Sequence, residues 1–443
     1  MKYFIIIIIS VSVSADDLKS VLKEIVELHP DVRKRTFLHK AARADSERAG
    51  TLPDPKIGLA YRNYPNYGGI RFDESRINTP TMTGREIQIS QEIPYLEKNS
   101  LSKKIAKDRA SESELDILSA RNTLAASLLS SEVVRRYSPE KIRLRKEIMK
   151  LYSSAASVSR AYSAAGNKPA FLALQNTASE TQERIRILEA ESSQELNLLE
   201  QTHFAKENPE LLEKLKSHDI SLYLNALYDK IMTETDHEKT VIEKNPEIRK
   251  SQRTRQRLES EKDLSVLNSA APDAEVFIAY MKRKNQKYML DSGPIASASG
   301  NWMIQDSTEY RGDLISAGVT LKVPVWSLMN LESAKKSGQL NIDANREEKE
   351  MNIRTYSAVL KKMHAEIEYL RRAEKEYSGK LIPELEKTLR LAENSYRASK
   401  TEFSDIVNSR ISLVQARLSL LEIRERQLLR LVSVLEITDS FFE

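Results

Sequence analysis

The chain of 443 residues contains no cysteine. That excludes a disulfide framework, a thiolate metal site, a cysteine nucleophile and an acylated N-terminal cysteine. Glycine (12) and proline (14) are scarce, and aromatic residues make up only 6 %. With Ala, Leu, Ser, Glu, Lys and Arg abundant, this shortage favours long helices over an ordinary α/β enzyme. Lys plus Arg is 69 against 64 for Asp plus Glu, a net charge of +5. So mild an excess does not point to nucleic acid, which calls for basic residues clustered on one face. No run approaches 18 uninterrupted apolar residues, so a transmembrane helix is excluded as well.

What is present begins with an address. Lys2 precedes Tyr3, Phe4 and the isoleucines 5–9, and Ser10 to Ala15 are small or polar apart from two valines. A basic start, a short apolar centre and a small-residue end read as a secretory signal peptide over residues 1–15. The competing reading, a buried N-terminal strand, leaves an isoleucine run at a bare terminus to pack alone. The chain is expected to be exported. If it enters a membrane, it must do so as strands.

Eight of the 14 prolines and eight of the 12 glycines fall in two zones, 51–95 and 272–325. The zones resemble each other. Pro53-Asp54-Pro55-Lys56-Ile57-Gly58-Leu59-Ala60-Tyr61 aligns with Pro272-Asp273-Ala274-Glu275-Val276-Phe277-Ile278-Ala279-Tyr280. Upstream, His29-Pro30-Asp31-Val32-Arg33 matches Asn245-Pro246-Glu247-Ile248-Arg249, and downstream Ile93-Pro94-Tyr95 matches Val323-Pro324-Val325. Tyr162 and Tyr396 each head a helix–turn–helix segment. Landmarks repeated in order imply an internal duplication: a first repeat over 16–208, a linker at 209–218 and a second repeat over 219–443. Within the zones the apolar period is two. Ile57, Leu59 and Tyr61 form one set, and Ile87, Ile89 and Ile93 a second, with Gln91 the exception. Val276, Ile278 and Tyr280 form a third, and Ile315, Ala317, Val319, Leu321 and Val323 a fourth. Four alternating strands, in hairpins at about 56–93 and about 275–325, suit a half-buried soluble sheet or a lipid-facing barrel equally. The aromatics Tyr61, Tyr64, Tyr67, Phe72, Phe277, Tyr280, Tyr288, Trp302 and Tyr310 are either an interfacial girdle or ordinary strand residues.

Elsewhere the period is helical. Val407, Ile411, Val414, Leu418, Leu421, Leu428, Val432 and Leu435 follow the 4-3 spacing of a coiled-coil seam, with Glu425 intruding. Ile406, Leu413 and Leu420 form a second stripe beside it. Residues 96–162 are interrupted only at Ser138-Pro139, and 327–396 only near Pro383. Each segment would span roughly 100 Å as helix, so an elongated molecule is expected. The six histidines are scattered, no phosphate-cradling loop or nucleophile elbow occurs, and charge runs fit solvated helix faces. No catalytic set emerges, and the chain is read as a non-enzyme.

Taken together, these features resemble the TolC-type outer-membrane efflux proteins across essentially the whole mature chain. The residues that carry the resemblance are the two strand entries, the junction Gln91-Glu92-Ile93-Pro94-Tyr95-Leu96-Glu97-Lys98, and the turn Tyr396-Arg397-Ala398-Ser399-Lys400-Thr401-Glu402-Phe403-Ser404-Asp405-Ile406-Val407. The junction also looks like the heavy-metal cation branch. The resemblance implies a mainly α fold with a membrane β-barrel. Three copies would supply four strands each to a twelve-stranded barrel, above a periplasmic α-helical barrel. It implies a homotrimer in outer-membrane lipid, extending into the periplasm, with no lipid anchor and no cofactor. It also implies a passive duct in an efflux or type I secretion system, served by an inner-membrane pump and a periplasmic adaptor. Asp405, Asn408 and Phe171 would line the periplasmic constriction, where only Asp405 carries charge; the alternative for Asp405 is a helix-start acid favoured by the dipole. Gly166, Asn167, Lys168, Ser399, Lys400 and Thr401, at turns near 166 and 400, would meet the adaptor. The rival reading is an exported periplasmic coiled coil without a pore. The solute, metal cation, drug or protein, is not encoded in the pattern.

Overall fold

The computed structural model describes residues 17–63, 82–166, 170–204, 206, 209–232, 237–290 and 305–442. The signal-peptide expectation lies outside them. Helix α1 covers residues 17–28. It is followed by α2 (Pro30–Arg48), strands β1 (Lys56–Arg62) and β2 (Gly84–Ile93), and the 69-residue α3 (Leu96–Ala164). Then come α4 (Phe171–Phe204), α5 (Pro209–Ser217), α6 (Ile220–Met232), α7 (His237–Lys244) and α8 (Pro246–Ala270). Strands β3 (Asp273–Arg283), β4 (Gln286–Leu290), β5 (Gln305–Glu309) and β6 (Leu314–Lys322) precede α9 (Val325–Met329) and α10 (Leu331–Glu376). A π-helical turn (Tyr377–Leu381), α11 (Ile382–Arg397) and α12 (Phe403–Thr438) complete the order. The chain forms two compact units, one of Ala42–Arg109 with Arg255–Ala344, the other of the remainder.

The first unit holds the sheet. Its order is β1-β2-β3-β6, all antiparallel, so two hairpins lie side by side. The expectation of four strands needs correction: β4 and β5 pair as a separate ribbon inside what the sequence pattern suggests is a polar loop.

In the second unit, buried residues of α1, α3, α5, α6, α10 and α12 form the main core, with Leu22, Leu129, Leu215, Leu224, Leu360 and Leu435 fully enclosed. Segment 209–217 is a helix whose Leu211, Leu212 and Leu215 enter that core. The α12 seam is buried as the 4-3 spacing demands, Val407, Ile411, Val414 and Leu418 packing on Leu144 and Ile148 of α3. The intruding Glu425 pairs with Lys141 of α3 at 2.6 Å. On its other side α12 meets α10 and α11 through Arg417–Glu386, Arg424–Glu374 and Arg430–Glu366, at 2.7 to 2.9 Å. The second stripe thus does have a second neighbour.

The expected break at Ser138-Pro139 is absent: α3 runs through it. Proline removes one backbone donor and crowds the preceding turn, yet helix on both sides is held by packing. The Ser138 hydroxyl also donates to the Val134 carbonyl at 2.7 Å. Near Pro383 the helix does change, through the π-helical turn directly upstream. The extra residue of a π turn accommodates a proline ring that a regular α-helix would not. Glu132, fully buried on α3, accepts hydrogen bonds from Arg135 (2.5 Å), Arg136 (3.0 Å) and Gln201 of α4 (3.1 Å). Burial raises its carboxyl, but the two guanidinium groups outweigh that and hold it below the ordinary carboxylate range. A depressed carboxyl stabilises the fold above its unfolded pKa, and the contribution is lost as pH falls through the folded value. Glu132→Gln is therefore expected to cost about 3 kcal/mol at pH 7, and less at pH 3. Thermal unfolding in detergent, followed by circular dichroism at both pH values, checks this.

Candidate functional site

The four-stranded sheet has two unlike faces. The register aligns Ile57, Ile89, Ile278 and Ala317 across one row and Leu59, Ile87, Tyr280 and Ile315 across another. With Tyr61, Val276, Val319 and Leu321 these rows make one continuous apolar face. Its large side chains are exposed, from 36 % at Val276 to 78 % at Leu59. The opposite face carries Gly58, Ala60, Arg62, Glu86, Gln88, Ser90, Ser316 and Thr320, with Arg62 paired to Glu86. Glu86, Ser90, Ala279 and Met281 on that face are buried. The polar face is thus the more covered of the two, and the apolar face the more open. Water selects the reverse arrangement, apolar face covered and polar face open. The exception Gln91 is explained by its amide, which donates to the Pro53 carbonyl at 2.7 Å and ties down the chain entering β1. Of the nine aromatics, Tyr61 and Tyr280 stand on the apolar face. Phe277 is on the other, packed over Gly318 so closely that a Cβ there would come within 2.7 Å of its ring. Tyr64, Tyr67, Phe72 and Trp302 lie outside the described residues.

Strands of 7, 10, 11 and 9 residues have about the length needed to cross a bilayer core. Their helix-ward ends carry a feature absent from the sequence reading: Leu96 (79 %) and Trp326 (81 %) are almost bare. They follow the matched tripeptides Ile93-Pro94-Tyr95 and Val323-Pro324-Val325, which is the signal that would have found them. At the same junction Lys98 reaches across to Asp273, its Nζ donating to Oδ1 at 2.8 Å and to the Ala271 carbonyl at 2.9 Å. The backbone N–H of Tyr95 donates to the same carboxylate at 3.2 Å. Two motifs separate in sequence, the strand entry and the strand-to-helix junction, are thus locked together.

The helical turns hold the remaining expected site residues. Helix α3 ends on Gly166 at φ +73°, a left-handed conformation that glycine adopts without strain. Asn167 and Lys168 lie outside the described residues. Phe171 opens α4, 61 % exposed. At the second turn Ser399 takes the left-handed position at φ +54°. Its N–H donates to the Tyr396 carbonyl at 2.8 Å, and that of Lys400 to Ser395 at 2.9 Å. Serine there stores roughly 1 kcal/mol that glycine would not. The Thr401 hydroxyl donates to the Ala392 carbonyl at 3.5 Å. Asp405 and Asn408 are both exposed on the first turns of α12. Asp405 takes part in a capping box: it accepts from the Glu402 N–H at 3.1 Å, while the Glu402 side chain accepts from the backbone N–H of Asp405. The helix-start role of Asp405 is therefore real. It leaves the carboxylate at the surface.

Among the described residues no group of three or more His, Asp or Glu could hold a metal, and no helix is long and apolar enough to cross a membrane.

No protein-family model and no curated protein matches the sequence. Solved structures do match the fold. The Campylobacter jejuni CmeC outer membrane channel is 13 % identical, with a TM-score of 0.67 over 96 % of this chain and 86 % of that one. The Vibrio cholerae outer membrane protein VceC is 13 % identical, with a TM-score of 0.67 over 96 % and 97 %. The open state of the Neisseria gonorrhoeae MtrE outer membrane channel gives 13 % and 0.59 over 96 % and 89 %. Sharing so little sequence and nearly the whole fold with these proteins, the chain has the architecture of the TolC-type outer-membrane channels.

Proposed function

We propose that this chain is the outer-membrane duct of an efflux or type I secretion system, through which solute leaves passively. The observation that carries the reading is the inverted sheet, with its apolar face exposed and its polar face covered. Only lipid outside and water inside suit such a sheet. Both edge strands, β1 and β6, are open in the sheet order, and a lipid-exposed edge leaves backbone groups unsatisfied. Three copies, contributing four strands each, close a twelve-stranded barrel and remove the edges. The helices call for copies too. Leu174, Ile185, Leu188 and Leu199 line one face of α4 and are each more than half exposed, a seam that a neighbouring protomer covers. In this reading residues 16–208 and 219–443 are two repeats joined through 209–218, and the signal peptide directs export.

An inner-membrane pump supplies the energy, and a periplasmic adaptor meets the turns at Gly166, Asn167, Lys168, Ser399, Lys400 and Thr401. Left-handed Ser399 supports this, since strained backbone concentrates at working sites. Asp405, with Asn408 beside it and Phe171 on the other turn, narrows the periplasmic mouth. One ring of three carboxylates gives a weak cation preference. No cofactor takes part. The pore-less coiled-coil reading leaves the inverted sheet without a purpose.

Three outcomes test these proposals. The wild-type chain should fractionate with the outer membrane as a detergent-stable trimer. Leu59→Arg, a charge on the lipid face costing about 3 kcal/mol, should sharply reduce that yield; a water-soluble monomer would refute the duct. Asp405→Asn should shift the reversal potential of single channels in planar bilayers toward zero under a salt gradient, and an unchanged value removes Asp405 from the constriction. Replacing Lys168 and Lys400 by Glu should lower adaptor recovery in pull-downs, while equal recovery takes both lysines out of the contact.

A further inference from the structure

The two hairpins match each other in register as well as in sequence. The strand entries align Lys56 with Glu275, and the junctions align Ser90 with Thr320, which stand three residues before Ile93 and Val323. In the sheet Lys56 lies opposite Ser90, and Glu275 lies opposite Thr320. Ile57 lies opposite Ile89, and their counterparts Val276 and Val319 also face each other. Matched residues thus take matched places in both hairpins.

A third pairing, β2 with β3, joins the hairpins. It sets Ile89 opposite Ile278 and Ser90 opposite Phe277. The outer strands β6 and β1 are the counterparts of β2 and β3, and among the described residues neither has a strand on its outer side. If β6 of one copy meets β1 of the next as β2 meets β3, Val319 stands opposite the partner's Leu59. Leu321 then faces the partner's Ile57, and Ala317 the partner's Tyr61. On the polar face Thr320 meets the partner's Gly58, and Ser316 the partner's Arg62.

We propose that copies of this chain join through β6 and the partner's β1 in that register, with Val319 opposite the partner's Leu59. This interface rests on the barrel reading above, in which three copies close the sheet. A slip of one residue would turn the apolar rows of one copy against the polar rows of the next, so only even shifts compete. Barrel geometry narrows these. A line straight across the sheet from Lys56 passes Ser90, Phe277 and Gly318. In the proposed register it reaches the partner's Ala60, four residues further along β1. Three copies then accumulate a stagger equal to the number of strands, which tilts the strands by about 35° for a rise of about 3.3 Å and a spacing of about 4.8 Å. Membrane barrels tilt theirs by about 35–45°. Slipping two residues toward the start of β1 halves the stagger and drops the tilt to about 20°. Slipping two the other way reaches the upper limit of the range and gives up the match to the β2–β3 pairing. Lys322 comes opposite the partner's Lys56, yet each keeps an acid of its own: Asp273 stands opposite Lys322, and Glu92 lies 3.8 Å from Lys56.

The chain has no cysteine, so introduced pairs report the register without interference. Residues directly opposite have Cα atoms about 4.5 to 5.5 Å apart, within disulfide reach, whereas a two-residue slip gives about 7 to 8 Å, beyond it. The full chain carrying Val319→Cys with Leu59→Cys, oxidised in outer membranes, should run as a covalent trimer on non-reducing gels. Val319→Cys with Ile57→Cys, or with Tyr61→Cys, should run as monomer. A second set on the polar face should rank the same way: Thr320→Cys with Gly58→Cys should crosslink, and Thr320→Cys with Lys56→Cys or Ala60→Cys should not. A shifted pair that crosslinks in preference to the matched one overturns the register and leaves the duct standing. So do matched pairs that stay uncrosslinked in a protein that is still a trimer. Should the cysteine variants not assemble, the wild-type trimer decides by electron cryomicroscopy: Leu59 opposite Val319 upholds the proposal, and any other residue there overturns it. A wild-type chain that forms no oligomer fails the duct reading itself and takes this interface with it.

Discussion

Everything about this protein follows from a sheet that water cannot accept. One face offers exposed isoleucine, leucine, valine and tyrosine across the four strands, and among the described residues its two edge strands have no further strand beside them. Hydrophobic burial and backbone satisfaction are the two largest demands on a folding chain. Within the described residues neither is met, because the face that is covered is the one that collects the polar side chains. In the duct proposed above, lipid would meet the first demand and the strands of further copies the second.

The helical unit obeys the same logic in a wetter setting. Helix α12 is gripped on one side by α3, through an apolar seam and the Lys141–Glu425 pair, and on the other by α10 and α11, through a ladder of arginine–glutamate pairs. Of these pairs only Lys141–Glu425 is largely buried, and breaking such a pair leaves a stranded charge, which costs far more than the intact pair contributes. Such pairs fix which helix sits beside which. The apolar stripe of α4 has no comparable cover among the described residues.

Asp405 has a structural role of its own, to which the proposed constriction would add a second. A carboxylate at N3 of a helix accepts the cap N–H and is favoured by the positive end of the dipole. That position also leaves it at the surface at the start of α12. In the proposed trimer a ring of such residues would carry negative charge without any separate device to hold it, each carboxylate being anchored by its own helix start.

Much of this was legible in the amino-acid order alone, because periodicity is a local property. Alternation of two placed Ile57, Leu59, Ile87, Ile89 and Ile278 on one face, and the 4-3 spacing buried Val407 through Leu435. The matched Pro-Asp strand entries and the helical turns were legible for the same reason, since breakers act on their immediate neighbours. What only the tertiary structure decided was long-range. Pattern alone could not tell which face of the sheet is covered; the fold leaves the apolar face exposed and covers the polar one. Proline chemistry suggested a break at Pro139 that packing on both sides overrides. Lys98 meets Asp273, and Arg85 faces Lys282, across more than 170 residues, through strand pairing that no local window contains. Sequence sets what each segment prefers to bury; pairing and packing determine what it can reach.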